Sequence, residues 1–351
     1  MNNIIKTREL GQQIWLDNLS RSLIHSKKLV HMRQLGVTGI TTNPAIFSKA
    51  IESDSLYQKD IDKLNKKPLT AKQKYEFLAI QDVQDACDEF FDTYQESHFQ
   101  YGYVSIELDP YLSQNYENSV REAKRLWQLI DRPNVMIKVP ATGSGIKVFE
   151  YLISEGMNVN ITLLFSLEVT RKIHYAYLNG LKTRLANAQP INHIRAVASF
   201  FLSRIDTALD VALPQHLQGK VAISIAKQAY QDWLTIFDQQ QLVWLNKHDA
   251  KPIWLLWAST GTKNPDYCDV LYVDNLIGVG TVNTLPEQTL NFFVEHGTAS
   301  PSLINNIDQA RMVLAEVEEL GISLENLSTK LQQEGLLQFE QAFQKILDQL
   351  N

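Results

Sequence analysis

The chain has few cysteines, no excess of positive charge and no long apolar run. Cys87 and Cys268 lie far apart, so they indicate neither a disulfide framework nor a metal site, and the eight histidines show no HExxH spacing. Basic residues number 33 against 39 acidic ones, a net charge of −6. Without a basic cluster, nucleic-acid and membrane partners are disfavoured. The first residues lack a long apolar segment, so we expect no signal peptide or transmembrane helix, and a cytoplasmic protein.

Nucleotide-binding glycine motifs are also missing. No GxGxxG follows a predicted strand and no GxxxxGK[ST] occurs, which disfavours a dinucleotide-binding sheet or a P-loop. The composition is that of a globular protein, with 44% hydrophobic and 21% charged residues. A length of 351 residues suits two medium domains, or one α/β barrel with additions.

Short apolar segments rich in β-branched residues alternate with segments of helical spacing. The predicted strands are 14–18, 37–42, 101–108, 134–140, 158–165, 194–201, 253–259 and 281–285. Such alternation predicts a parallel sheet with helices outside, and eight units favour a closed (β/α)8 TIM barrel in a single domain over 1–351, with additional terminal helices. A doubly wound sheet is the alternative. The tail, from about 301 to 351, predicts helices over 305–320, 324–333 and 336–350. We expect the last to pack on the barrel, and covering of the mouth is a further role open to it.

One predicted strand, 134–140, carries a lysine in the middle of an apolar run. Burial of an ammonium group is costly unless the group is paired or loses its proton. A neutral amine is the form that attacks a carbonyl carbon to make a Schiff base. Lys138 is therefore a candidate nucleophile. The alternatives are that it ends an edge strand and reaches solvent, or that it pairs with a carboxylate.

Polar side chains recur at the carboxyl ends of the predicted strands, which is where the active sites of parallel barrels lie. Taken alone, Asn43 fits a turn before Pro44, and Asp17 fits a helix N-cap. Seven strand ends of this kind instead favour one site with a lysine and two carboxylates, which suits Schiff-base chemistry. The residues are Asp17, Asn43, Glu107, Lys138, Asn160, Thr162, Ser199, Arg204, Ser259 and Lys263.

Several of these residues stand in motifs that resemble those of transaldolases. The motifs are WLDN at 15–18, GVTGITTNPAIF at 36–47, MIKVPAT at 136–142 and GMNVNITLLFS at 156–166; WASTGTKNP at 257–265 resembles the longer bacterial branch. The resemblance runs from about Gly11 to the last predicted helix. It implies a barrel of the class I aldolase type that needs neither a metal nor an organic cofactor, acts on sugar phosphates, and is a monomer or homodimer.

The resemblance also implies roles for individual residues. Lys138 would form the Schiff base, Glu107 and Thr162 would hold a proton-carrying water, and Asp17 would be the general base. Asn43 and Asn160 would bind the dihydroxyacetone hydroxyls, and Ser199 and Arg204 the phosphate. Some members of the family have an arginine two residues after the serine that corresponds to Ser259; Gly261 stands there, and Lys263 is the nearest replacement.

The activity that the resemblance implies is transfer of a dihydroxyacetone unit in the non-oxidative pentose phosphate pathway. The donor would be sedoheptulose 7-phosphate or fructose 6-phosphate, and the acceptor glyceraldehyde 3-phosphate or erythrose 4-phosphate. One alternative is a fructose-6-phosphate aldolase-type lyase that releases free dihydroxyacetone; such relatives replace the glutamate that Glu107 matches. The other is a sugar-phosphate-binding barrel without activity, which the complete set of lysine, acids and threonine disfavours.

Overall fold

A computed structural model describes residues 2–351 of the chain; Met1, the first residue of the predicted domain, lies outside the described residues. Within them, parallel strands close into a barrel in chain order, and β8 pairs with β1. The strands are β1 (Gln12–Leu16), β2 (Gly39–Ile40), β3 (Tyr103–Glu107), β4 (Val135–Pro140), β5 (Val159–Leu164), β6 (Ala196–Phe201), β7 (Trp254–Ala258) and β8 (Thr281–Leu285). The predicted TIM barrel is confirmed, and the doubly wound alternative is wrong.

Helices follow the strands and extend the barrel at both ends of the chain. They are α1 (Asn3–Glu9), α2 (Arg21–His25), α3 (Lys28–Leu35), α4 (Pro44–Ser53), α5 (Gln58–Leu64), α6 (Ala71–Glu89), α7 (Phe91–Glu96), α8 (Tyr116–Ile130), α9 (Gly143–Ser154), α10 (Leu167–Ala186), α11 (Ser203–Leu209), α12 (Val221–Ile236), α13 (Gln239–Lys247), α14 (Leu271–Asp274), α15 (Glu287–His296), α16 (Ile307–Glu319) and α17 (Leu324–Gln349). No helix within residues 2–351 has the length and apolarity needed to cross a membrane.

The strands that carry the candidate site are buried on both faces. Every residue of β3, β4 and β5 is buried, because the barrel interior covers one face and the outer helices cover the other. Strand register places Glu107 beside Lys138, and Lys138 beside Asn160. Register neighbours on parallel strands point to the same face, so these three side chains form one layer at the carboxyl end of the barrel.

One helical segment is divided, and another is continuous where two helices were predicted. Residues 21–35 form two helices, α2 and α3, because Lys27 between them adopts a left-handed backbone with φ 62°. The two helices expected at 324–333 and 336–350 are instead the continuous 26-residue α17. Gly335 in its middle costs about 1 kcal/mol of helix propensity, yet it permits a close approach to the barrel, since a Cβ there would lie 2.8 Å from Leu163 Cδ2.

The last helix, α17, packs on the outer helices. The Phe343 ring meets the ring of Tyr75 edge to face, with centroids 5.5 Å apart. At the end of the helix, Lys74 Nζ donates a hydrogen bond of 2.7 Å to the Leu350 carbonyl. Both partners belong to α6, so α17 is held to the barrel over its last turns.

A buried histidine lies between α10 and the end of α12. The His174 ring is fully buried, meets the Phe237 ring edge to face with centroids 5.6 Å apart, and neither ring nitrogen has a hydrogen-bond partner among residues 2–351. Burial lowers the pKa of His174 from 6.5 to about 3. Between these values the unfolded chain binds a proton that the folded protein does not bind.

We therefore expect His174 to destabilise the fold in acid. Lowering the pH from 8 to 5 should cost about 2 kcal/mol through this residue, and His174→Phe should remove that part of the pH dependence. Free energies of unfolding in urea at both pH values, for wild type and variant, measure the difference. Equal pH dependences of the two proteins would contradict the prediction.

Candidate active site

The centre of the site is Lys138 on β4. Its side chain is 5% exposed, and Nζ lies 3.2 Å from Glu107 Oε2 on the neighbouring strand. Nζ also donates a hydrogen bond of 2.9 Å to the Thr42 carbonyl. Because β4 lies between β3 and β5, the edge-strand alternative for Lys138 is wrong, and the pairing with a carboxylate is present.

Glu107 is buried beside this amine. Burial raises the pKa of Glu107 to about 7, although the positive charge of Lys138 acts in the opposite direction. Apart from the contact with Lys138, neither Glu107 oxygen has a hydrogen-bond partner among residues 2–351, and the buried Thr162 hydroxyl has none either. Buried polar atoms are normally satisfied. Those of Glu107 and Thr162 are thus able to bind a small polar molecule or a substrate hydroxyl.

Asp17 stands at the end of β1. Thr41 Oγ1 donates a hydrogen bond of 2.6 Å to Asp17 Oδ1 and lies 2.7 Å from Thr284 Oγ1. Burial raises the pKa of Asp17, while the charge of Lys138 and the Thr41 hydrogen bond oppose that rise. The N-cap alternative for Asp17 is wrong, because the Ser20 side chain caps α2.

Two predicted substrate-binding residues belong to a chain of hydrogen bonds inside the barrel. Ser199 Oγ donates to Asn160 Oδ1 at 2.6 Å, and Asn160 Nδ2 donates to Ser105 Oγ at 3.1 Å. These bonds fix the amide plane of Asn160 beside Lys138. Asn43 has a local role as well: its side-chain oxygen caps α4 by accepting from the Ile46 N–H at 3.0 Å. Its Nδ2 group is the part suited to a substrate hydroxyl.

Arg204 lies in the first turn of α11, after β6. Its guanidinium carbon is 5.3 Å from the centre of the Phe201 ring, and the buried Nη1 has no hydrogen-bond partner within the described part of the chain. Burial lowers the pKa of Arg204, opposed by the charge of Glu334 on α17. A half-buried guanidinium with a buried, unpartnered N–H group is suited to a phosphate oxygen.

Lys263 is exposed in the loop after β7 and forms no ion pair or hydrogen bond with the described residues. The same loop meets α11 through a serine pair, since Ser259 Oγ lies 2.8 Å from Ser203 Oγ. The residue next to Arg204 therefore contacts Ser259.

Other contacts of the site were not anticipated individually. No role was predicted for Thr41, which lies in the motif at 36–47, or for Ser105 and Thr284, which lie in none of the motifs. On α17, the Phe339 ring centre lies 5.6 Å from Lys138 Nζ, and the Gln332 side chain reaches the ends of β4 and β5. The helical spacing of Phe339 did indicate a buried face. The structure shows that this face packs on the barrel and also covers its mouth.

The carboxyl end of this closed parallel barrel holds a buried lysine, two carboxyl groups, and unpartnered hydroxyl and guanidinium groups. Proteins of this class are suited to amine–carbonyl chemistry on a phosphorylated substrate. The sequence model of the Transaldolase/Fructose-6-phosphate aldolase family matches residues 14–350. The chain belongs to this family, which confirms the resemblance of its motifs.

Curated relatives cover nearly the whole chain. A Transaldolase of Neisseria meningitidis is 50% identical over 347 residues, which are 99% of each chain. A Transaldolase of Thiobacillus denitrificans is 42% identical and covers 100% of both chains. A Transaldolase of Trichodesmium erythraeum is 40% identical over 99% of this chain and 97% of its own.

The hydrogen bond from Thr41 gives a prediction about Asp17. Because that bond favours the carboxylate, Thr41→Val should raise the pKa of Asp17 above that of the wild type. The titration is followed by carboxyl ¹³C NMR, with the signal assigned through Asp17→Asn. Thr38→Val is the control, since the Thr38 hydroxyl bonds Gln13 instead. If the pKa of Asp17 is the same in Thr41→Val as in wild type, this role of Thr41 is contradicted.

Proposed function

We propose that the protein catalyses the transaldolase reaction, the transfer of a dihydroxyacetone unit from sedoheptulose 7-phosphate or fructose 6-phosphate to glyceraldehyde 3-phosphate or erythrose 4-phosphate. Family membership and relatives named Transaldolase at up to 50% identity support this activity. The observation that carries it is the Lys138–Glu107 pair, a buried amine 3.2 Å from a carboxyl group whose pKa is about 7. The reaction belongs to the non-oxidative pentose phosphate pathway.

The first half-reaction begins with a proton transfer. Lys138 loses a proton to Glu107, and the freed electron pair on Nζ attacks the C2 carbonyl of the ketose. The carbonyl oxygen becomes a hydroxyl by taking the proton that Glu107 received. Nζ then gives a second proton to Glu107, which passes it to this hydroxyl, so that water leaves and a protonated C=N bond remains. A carboxyl group that titrates near neutral pH can both take and return these protons. The Thr162 hydroxyl orients the departing oxygen.

Carbon–carbon cleavage is assigned to Asp17. Its carboxylate removes the C4 hydroxyl proton, the C3–C4 bond breaks, and the electron pair moves into the C=N group. The aldose phosphate leaves, and a three-carbon enamine stays bonded to Lys138. In the second half-reaction C3 of the enamine attacks the acceptor aldehyde, and Asp17 returns its proton to the new hydroxyl. Hydrolysis of the Schiff base then releases the product ketose.

The substrate-binding roles rest on the resemblance of the motifs. Asn43 and Asn160 hydrogen-bond the hydroxyls of the dihydroxyacetone unit, and Ser199 with Arg204 binds the phosphate. Lys263 as a second phosphate contact stays a prediction that rests on its place in the loop after β7. We also propose a cytoplasmic enzyme that acts as a monomer or homodimer on these sugar phosphates, in a single domain with a helical C-terminal extension.

Reductive trapping tests the assignment of Lys138. Borohydride with fructose 6-phosphate should leave a three-carbon adduct on Lys138 of the wild type, located by peptide mass spectrometry, and Lys138→Met should give no adduct and no transfer. Lys227→Met is the matched control, because Lys227 is a buried lysine on α12 that donates to the Asn305 carbonyl. It should keep both adduct and transfer.

Two results of the same experiment would replace the proposed function. Free dihydroxyacetone released from fructose 6-phosphate without an acceptor, at a rate equal to transfer, would favour the lyase. Absence of an adduct on the wild-type protein would favour a sugar-phosphate-binding barrel without activity.

Arg204 should act on binding of the phosphate. Arg204→Ala should raise KM for fructose 6-phosphate by about tenfold to a hundredfold, the effect of one or two lost charge-assisted hydrogen bonds, with a smaller change in kcat. Turnover of unphosphorylated fructose should be nearly the same in variant and wild type. The control is Arg171→Ala, which removes a partly exposed partner of Asp232. Unchanged KM in Arg204→Ala would place phosphate binding elsewhere.

A further inference from the structure

One glutamine of α17 bonds the ends of two catalytic strands at once. Gln332 Nε2 donates to the Ala141 carbonyl at 2.9 Å and to the Leu163 carbonyl at 3.2 Å. Ala141 directly follows β4, the strand of Lys138, and Leu163 lies in β5, directly after Thr162. A single side-chain amide thus connects the strands that hold the amine and the hydroxyl of the site.

The backbone at the second contact is in an unusual conformation. Leu163 has φ 61°, in the left-handed region that residues with a side chain seldom adopt, and the register of β5 with β6 shifts between Ile161 and Leu164. Such a conformation persists only where its surroundings hold it. The Gln332 hydrogen bond and the close approach of Gly335 to Leu163 Cδ2 are two contacts of α17 that act at this point.

Hydrogen bonds connect these groups in a closed ring. The Ala141 N–H donates to the Thr162 carbonyl at 2.8 Å, and the Ala141 and Leu163 carbonyls both accept from Gln332. The ring therefore includes the peptide groups on both sides of Leu163, the first of which begins at Thr162. Displacement of either strand end would move the Thr162 hydroxyl relative to Lys138 and Glu107.

We propose that Gln332 is a positioning residue of the active site. It sets the direction of the Thr162 hydroxyl through the Leu163 carbonyl, and so acts on the steps in which the C2 oxygen gains its protons and leaves. This inference rests on the proposed function, since it assigns Gln332 to the proton transfers of that reaction. It does not require Gln332 to touch the substrate.

Other residues anchor α17 to the barrel, so this anchoring is separate from the role of Gln332. Phe343 and the Leu350 carbonyl hold α17 to Tyr75 and Lys74 of α6, more than ten residues beyond Gln332. Loss of the Gln332 amide should therefore leave α17 in place while the strand ends lose their shared donor.

The test compares Gln332→Met with Gln333→Met. Methionine keeps the length of glutamine without its donors, and Gln333 is the exposed neighbour on the same helix. We expect Gln332→Met to lower kcat about tenfold or more, with KM for fructose 6-phosphate and the unfolding temperature close to those of Gln333→Met. If Gln332 acts through Thr162, the loss should nearly vanish in a Thr162→Val background, because the two effects are then coupled.

A readout independent of turnover accompanies the kinetics. The methyl ¹H–¹³C signal of Thr162 should shift in Gln332→Met and stay in place in Gln333→Met. A kcat equal to that of the control, a loss that adds in full to that of Thr162→Val, or an unmoved Thr162 signal would each overturn the inference. A wild type that transfers no dihydroxyacetone would instead refute the proposed function, and the methyl signal would still decide the positioning role.

Discussion

The ion pair between Lys138 and Glu107 is the constraint on which the arrangement of the barrel mouth depends. Burial of an isolated charge inside a protein is costly. When two opposite charges lie side by side on neighbouring strands, their attraction offsets part of that desolvation cost. The pairing needs β3 and β4 side by side with Glu107 and Lys138 in register, as they are in this barrel. It also needs a cover, because water at the mouth would weaken the attraction between the two groups. Phe339 of α17 lies over the amine and supplies part of that cover.

At this pair, two influences act in opposite directions on the pKa values of the carboxyl groups. Burial favours the neutral forms of Asp17 and Glu107, and the charge of Lys138 opposes it. The outcome is a site whose two carboxyl groups hold protons more readily than exposed ones. Proton donors and acceptors for carbonyl chemistry thus arise from burial and one shared cation, within a rigid sheet.

Much of the barrel could be predicted from residues alone, since strands buried on both faces leave short apolar runs that differ from amphipathic helices. Lys138 was recognisable because a charged residue interrupts such a run. Thr41 and Ser105 were not, because their roles depend on which strand lies beside them. Gln332 lies 191 and 169 residues from the carbonyls it bonds, beyond any local pattern. The left-handed backbone of Leu163 is likewise held by tertiary contacts with α17, against the local preference of a leucine.

The position of α17 has a consequence for synthesis of the protein. Ribosomes make the chain from its amino end, so the strands bearing Asp17, Glu107, Lys138 and Thr162 leave the ribosome well before the helix that covers them. A nascent chain can therefore hold all four residues and close its barrel while the amine is still open to water. The covered site exists only once α17 has docked, so the amine becomes shielded from water later in synthesis than the strands that carry it are made.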